Sequence, residues 1–182
     1  MDNRSFIYKD FNSDQVPFII PCLNDLYAQV YVEPPYYEGP AEVANFVTRF
    51  EDQRKEVGFS LTSCWSNRQL LGYLYGFTLT PECDWWDSLL MRVCESKSVE
   101  EFRKQTAFIS ELLVRADVRR RGIGRALHDR FLAPRAEGQA LLLVHPNAHA
   151  GRVAYAKWGW RKVGYGVPFP GAGSYETLVL FR

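Results

Sequence analysis

Four arginines and two glycines crowd into the seven residues Arg119-Arg-Arg-Gly122-Ile-Gly124-Arg125, and no other stretch of the chain is so well suited to hold an anion. The text before them, Phe108-Ile-Ser-Glu-Leu-Leu-Val114, is an apolar run of strand character. The text after them, Gly124-Arg-Ala-Leu-His-Asp-Arg-Phe-Leu132, places Leu127, Phe131 and Leu132 at helical spacing, with Pro134 helping to end the helix. The glycines therefore sit in a strand-to-helix turn, where backbone can approach a ligand unobstructed. There the unpaired amides of a first helical turn face an anion at the positive end of the dipole. The arginines add charge around the same spot. A nucleoside-triphosphate loop is excluded, because no lysine followed by a hydroxyl residue stands after either glycine. A dinucleotide fingerprint is excluded too: Leu127 stands where its third glycine or alanine belongs, and no carboxylate stands near Val144 to bind a ribose.

What fits is Arg119-x-x-Gly122-x-Gly124, which resembles the Gln/Arg-x-x-Gly-x-Gly/Ala signature of the GCN5-related N-acetyltransferases, a family that binds acetyl-coenzyme A. The resemblance runs from about Phe108 to the C-terminus. Ala140-Leu-Leu-Leu-Val144 reads as a buried parallel strand, closed by His145 and Pro146. Asn147-Ala-His-Ala-Gly-Arg-Val-Ala-Tyr155-Ala-Lys-Trp-Gly159-Trp160 resembles the family's second signature, Asn-x-x-Ala followed by a tyrosine-bearing helix that ends in Gly-Phe. Two departures stand out. Asn147 is offset by one residue from the usual asparagine, and Trp160 replaces phenylalanine while keeping a large aromatic wedge.

The resemblance implies an acetyl-coenzyme A-dependent enzyme that acetylates a primary amine of a small molecule or peptide by direct attack. An amine with pKa near 10 must lose a proton before it attacks, and the departing thiolate must gain one. Tyr155 is the expected acid, since a phenol of pKa about 10 is protonated at rest and the family often places its acid there. Glu111, a carboxylate in an apolar strand, is the expected base, directly if desolvation raises its pKa and otherwise through water. His145 competes for that role; His128 and His149 fall on helix surfaces and are expected to be solvated. Coenzyme contacts are expected from the backbone of Leu112, Leu113 and Val114 along the pantetheine arm. Arg119, Arg120, Arg121, Gly122, Ile123, Gly124 and Arg125 are expected around the pyrophosphate. No metal is called for. A non-catalytic acyl-coenzyme A sensor and an RNA-directed acetyltransferase are the alternatives.

Composition sets the frame. The 182 residues are expected to form one domain, and the net charge of +1 argues against a nucleic-acid partner. Cys22, Cys64, Cys83 and Cys94 lack Cys-x-x-Cys spacing, and no stretch reads as a signal peptide or membrane span, which points to a reduced cytoplasmic protein with no membrane partner. The first half reads as a strand from Ser5 to Phe11, helices over Pro17–Val32 and Ala41–Lys55, and two strands, Phe59–Trp65 and Leu70–Leu79, joined at Asn67-Arg-Gln. The fold class expected is α/β (α+β): a mixed, mostly antiparallel central sheet of six to seven strands with helices on both faces. Glu33-Pro-Pro-Tyr36-Tyr37-Glu-Gly-Pro40 and Pro81-Glu-Cys-Asp-Trp85-Trp86-Asp87 mix rings with carboxylates, a surface suited to a cationic amine. The loop from Gly164 to Gly173 is expected to form the opposite wall. Two-fold pairing of the strand Tyr175–Phe181 would give a homodimer.

Overall fold

The computed structural model describes residues 5–80, 105–167 and 173–182. Among them are seven strands, β1 (Ile7–Phe11), β2 (Ser60–Ser66), β3 (Gln69–Thr78), β4 (Thr106–Val114), β5 (Gln139–Val144), β6 (Arg161–Gly166) and β7 (Tyr175–Phe181). Four α-helices accompany them: α1 (Ile20–Tyr31), α2 (Pro40–Gln53), α3 (Ile123–Leu132) and α4 (His149–Lys157). The sheet order is β1-β2-β3-β4-β5-β7-β6. β4 and β5 run parallel, whereas the β1/β2, β2/β3, β5/β7 and β6/β7 pairs are antiparallel, so the sheet is mixed as expected. By contact the chain divides into two compact units, Met1–Phe77 with Ser110–Arg135, and Thr78–Ile109 with Ala136–Arg182.

In the first unit, β2 and β3 form a hairpin whose two-residue turn, Asn67 and Arg68, has φ values of 49° and 64°. That is the primed-turn geometry whose twist suits a tight hairpin, and asparagine tolerates it well. β3 is buried almost throughout, from Leu70 to Phe77. α2 lays Phe46 and Phe50 on this face, and the Tyr75 ring meets Phe50 edge-on at 4.9 Å. α3 buries Ile123, Leu127, Phe131 and Leu132, and its Arg130 makes a forked pair with Asp10 of β1 at 2.6 and 2.8 Å.

His128 is buried, against the solvated position expected of it. The residue is 2 % exposed, not solvated, because α3's apolar face is broad enough to take it beside Leu127 and Leu132. Asp129 Oδ1, 2.8 Å from His128 Nδ1, gives the ring a polar partner.

In the second unit, β5 is the most apolar strand: Ala140, Leu141 and Leu142 are fully buried, as a strand paired on both edges requires. β7 lies between β5 and β6. Both of its edges are therefore occupied, and the two-fold strand pairing expected of Tyr175–Phe181 is ruled out, since no free ladder remains to pair. Gly164, Tyr165 and Gly166, expected in a wall loop, belong to β6, and residues 168–172 of that segment lie outside the described residues. Glu176 of β7 is clamped by Arg152 at 2.8 Å and Lys162 at 2.8 Å, which hold its carboxyl below the usual range.

One close approach in the first unit fixes β3 against β4. A Cβ added at Gly72 would lie 2.7 Å from the Leu113 carbonyl oxygen and 3.2 Å from Leu127 Cδ1. Neither backbone nor packed leucine yields cheaply. Gly72→Ala is therefore expected to cost about 1–3 kcal/mol in urea unfolding. Gly138→Ala, where a Cβ meets nothing within 4 Å, should stay within about 0.5 kcal/mol of wild type. Equal stability for the two variants would contradict the packing described.

Candidate active site

The arginine-glycine turn forms as its sequence requires. After β4, Arg115 N–H donates to the Leu71 carbonyl at 2.9 Å, and a short 3-10 turn over Ala116–Val118 comes next. Val118 and Ile123, 0 % and 1 % exposed, pin the turn to the core at either end. Between them Arg120 and Gly122 adopt left-handed φ values of 63° and 83°. For Arg120 that conformation costs roughly 1–2 kcal/mol, so the surrounding contacts must enforce it. The first α3 hydrogen bond runs from Ala126 N–H to Gly122 O at 3.0 Å, so Ile123, Gly124 and Arg125 have no helical acceptor for their amides. A Cβ at Gly122 would meet nothing within 4 Å, leaving open space beside the backbone. These residues fit a pyrophosphate.

The arginines divide. Arg119 donates from Nη1 to Glu33 at 2.9 Å and from Nε to the Val114 carbonyl at 3.0 Å. Arg125 pairs with Asp129 at 2.6 Å one turn along α3. Arg120 and Arg121 are exposed. On β4, Leu113 is buried and Leu112 and Val114 are half-buried; the residues paired with β5 run only from Thr106 to Ile109.

Glu111 is 7 % exposed, and each of its oxygens is engaged. Oε1 accepts from Arg49 Nη2 at 2.7 Å, and Oε2 accepts from the Tyr31 hydroxyl at 2.6 Å. Burial raises its pKa above the ordinary carboxylate value, and Arg49 and the Tyr31 hydroxyl oppose that rise. An aromatic column stands over the pair: Tyr36 on Tyr31 (4.4 Å), Tyr31 on Tyr27 (4.2 Å) and Tyr27 on Phe46 (4.0 Å). The Tyr27 hydroxyl donates to Glu38 at 2.8 Å, and burial lifts the Glu38 carboxyl. The Glu33–Pro40 segment thus does bring rings and carboxylates together. Tyr37, at φ 53°, is 73 % exposed, while Trp85 and Trp86 lie outside the described residues.

Arg49 and Tyr31 escaped the sequence reading. The signal for Arg49 was present, a single cation interrupting the Phe46/Phe50 stripe of α2. Its partner is 62 residues away.

In the second unit the Tyr155 segment owes its shape to a helix terminus. Gly159, at φ 93°, ends α4; Trp160 N–H reaches back to the Tyr155 carbonyl at 3.1 Å and Gly159 N–H to Ala156 at 3.2 Å. This is a Schellman closure, and the expected contact between its two flanking side chains is present, the Tyr155 and Trp160 rings lying 5.8 Å apart. Tyr155 is 9 % exposed, with Trp158 edge-on at 5.5 Å. His145 accepts at Nδ1 from Asn147 N–H at 3.1 Å and meets the Tyr175 ring at 5.3 Å. His149 is exposed.

The mixed sheet with a strand-to-helix glycine turn after β4 is a fold this chain shares with known acetyltransferases. The profile described as the acetyltransferase (GNAT) family matches residues 23–160, so the chain belongs to that family and is an N-acetyltransferase using acyl-coenzyme A. It is similar to the protein PH1933 of Pyrococcus horikoshii (17% identity, 98% of this chain and 99% of that one, TM-score 0.69). It is also similar to PaiA N-acetyltransferase of Thermoplasma acidophilum, solved in complex with coenzyme A (10%, 98% and 99%, 0.62). The ribosomal-protein-S18-alanine N-acetyltransferase of Escherichia coli is a third (12%, 97% and 94%, 0.62). At these identities the likeness is one of fold. No curated protein matches the sequence. Among the described residues there is no group of three or more potential metal ligands and no helix long and apolar enough to cross a membrane.

Arg49→Met is expected to destabilise the protein by roughly 3 kcal/mol at neutral pH, the low end for a broken buried pair because Arg49 keeps a solvent-facing edge. Without Arg49 the Glu111 carboxyl rises further above its unfolded value, so folding then favours the protonated form. The destabilisation is full where Glu111 is charged and fades as pH falls toward the unfolded carboxyl range. Urea melts of both proteins at pH 5 and pH 8 check this; the same loss at both would show that Glu111 does not carry the effect.

Proposed function

We propose that the 182 residues act as one cytoplasmic domain that acetylates a primary amine of a small molecule or peptide by direct attack. The observation that carries this reading is the turn at Gly122, whose left-handed backbone offers the α3 amides to a diphosphate beside an open flank. Ile123, Gly124 and Arg125 would hold the pyrophosphate through their amides, with Arg119, Arg120 and Arg121 around it, and the Leu112–Val114 backbone would line the pantetheine arm. The bound coenzyme supplies an activated acetyl thioester.

Glu111 takes the amine's proton. Its burial raises its basicity, and because both oxygens are already engaged, a bridging water is the route by which the proton reaches it. Tyr155 returns a proton to the departing sulfur; the Schellman closure and the flanking tryptophans fix its ring, which favours a defined donor direction. Tyr36 and Tyr37, next to Glu38, would receive the rest of a cationic acceptor.

Calorimetric titration with acetyl-coenzyme A, with NAD and ATP as controls, tests the coenzyme site; binding should be selective and should disappear when Gly122 and Gly124 carry bulky side chains. Tyr155→Phe should then lower kcat by about 100-fold while leaving coenzyme affinity unchanged. Unchanged turnover, followed by thiol release over a panel of amines, would remove Tyr155 as the acid.

A further inference from the structure

Arg119 opens the coenzyme turn, yet its guanidinium is engaged with the chain's own acceptor-side segment. Glu33, just past the end of α1, accepts from Arg119 Nη1 at 2.9 Å, and both side chains remain partly exposed at 43% and 36%. A recess of about 370 Å³ lies beside them, lined by Gln29, Val30, Glu33, Arg115, Ala116 and Asp117. Glu33 also organises the residues next along the chain. Its carbonyl accepts from Tyr36 N–H at 3.1 Å and Tyr37 N–H at 3.3 Å, and Tyr37 is left at a left-handed φ of 53°. The ion pair thus ties the segment that carries Tyr36, Tyr37 and Glu38 to the turn that would hold the pyrophosphate.

We propose that Glu33 is a positioning residue that shares Arg119 with the coenzyme: without coenzyme, Arg119 holds Glu33 and the 33–40 segment, and a bound diphosphate takes Arg119 and releases that segment for the acceptor. The inference rests on the coenzyme-binding reading above. The competition has a definite direction. An exposed carboxylate pair is weak, whereas a diphosphate offers more charge, forked acceptors and the adjoining amides of α3. Coenzyme binding therefore wins Arg119 but is weakened by the ion pair it must break. The same exchange makes the acceptor segment respond to the coenzyme through one side chain.

The test compares wild type, Glu33→Gln and Glu33→Asp in calorimetric titration with acetyl-coenzyme A at low and high salt. Amide hydrogen exchange over residues 33–40 is followed alongside. Neutralising Glu33 should tighten Kd by up to about fivefold at low salt, the binding ratio that corresponds to an exposed ion pair. That gain should vanish at about 1 M salt, where charges beyond roughly 3 Å are screened. Glu33→Asp, which keeps the charge on a shorter stem, should fall between the two. Exchange over 33–40 should quicken when coenzyme binds the wild type and should already be quick in Glu33→Gln. A merely structural role for Glu33 gives the opposite sign, since a loosened turn binds coenzyme more weakly. Equal or weaker binding by Glu33→Gln, or exchange that coenzyme leaves unchanged or slows, would overturn the proposal while leaving coenzyme binding intact. No binding by the wild type or either variant would overturn both readings.

Discussion

A buried carboxylate anchors the first unit. Glu111 sits on β4 with one oxygen held by Arg49 of α2 and the other by Tyr31 of α1, so one side chain fixes the spacing of three elements. In a low-dielectric interior such a pair is strong only when both partners are present and correctly placed. The aromatic column from Tyr36 to Phe46 inherits its position from that arrangement, because Tyr31 is at once the donor to Glu111 and a ring within the column. The contacts that temper the buried Glu111 carboxyl thus also order the rings beside it.

The two signature segments work through backbone, by different means. At Gly122 the chain turns left-handed into α3, whose first amides have no helical acceptors. At Gly159 the same freedom does the reverse: the helix end is closed by Trp160 and Gly159 amides reaching back, and the closure sets two aromatic rings against each other. One glycine opens a terminus and the other seals one. Arg120, forced into the left-handed region without a glycine's freedom, shows that the first turn is held by its buried ends, Val118 and Ile123.

Charge distribution separates local from distant partnerships. Arg125–Asp129 and Arg115–Asp117 are near neighbours in sequence, exposed on at least one side, and contribute little. Arg49–Glu111 joins elements far apart in the chain and its carboxylate is buried, so its loss is felt through the whole unit. Glu176, gripped by Arg152 and Lys162, lies between these extremes: its carboxylate is buried while its partners reach into solvent.

Much of the fold was legible in the sequence because it is dictated locally. The hairpin follows from two apolar strand patterns joined at Asn67-Arg-Gln, where Asn67 accepts positive φ, β7 from an apolar strand pattern whose limits, Tyr175–Phe181, match the reading, and the turn before α3 from glycines at the required spacing. Helices α1 and α2 start and stop within three residues of where their periodicity placed them. Only the tertiary structure decided which groups meet. Nothing local joins Glu111 to Tyr31, 80 residues away, turns Arg119 onto Glu33, buries His128, or sets β7 between two strands where it has no edge left to offer. Periodicity tells which face of an element is apolar, but the partner of a buried charge and the neighbours of a strand are fixed by packing between distant segments, where the cost of an unpaired group selects the arrangement.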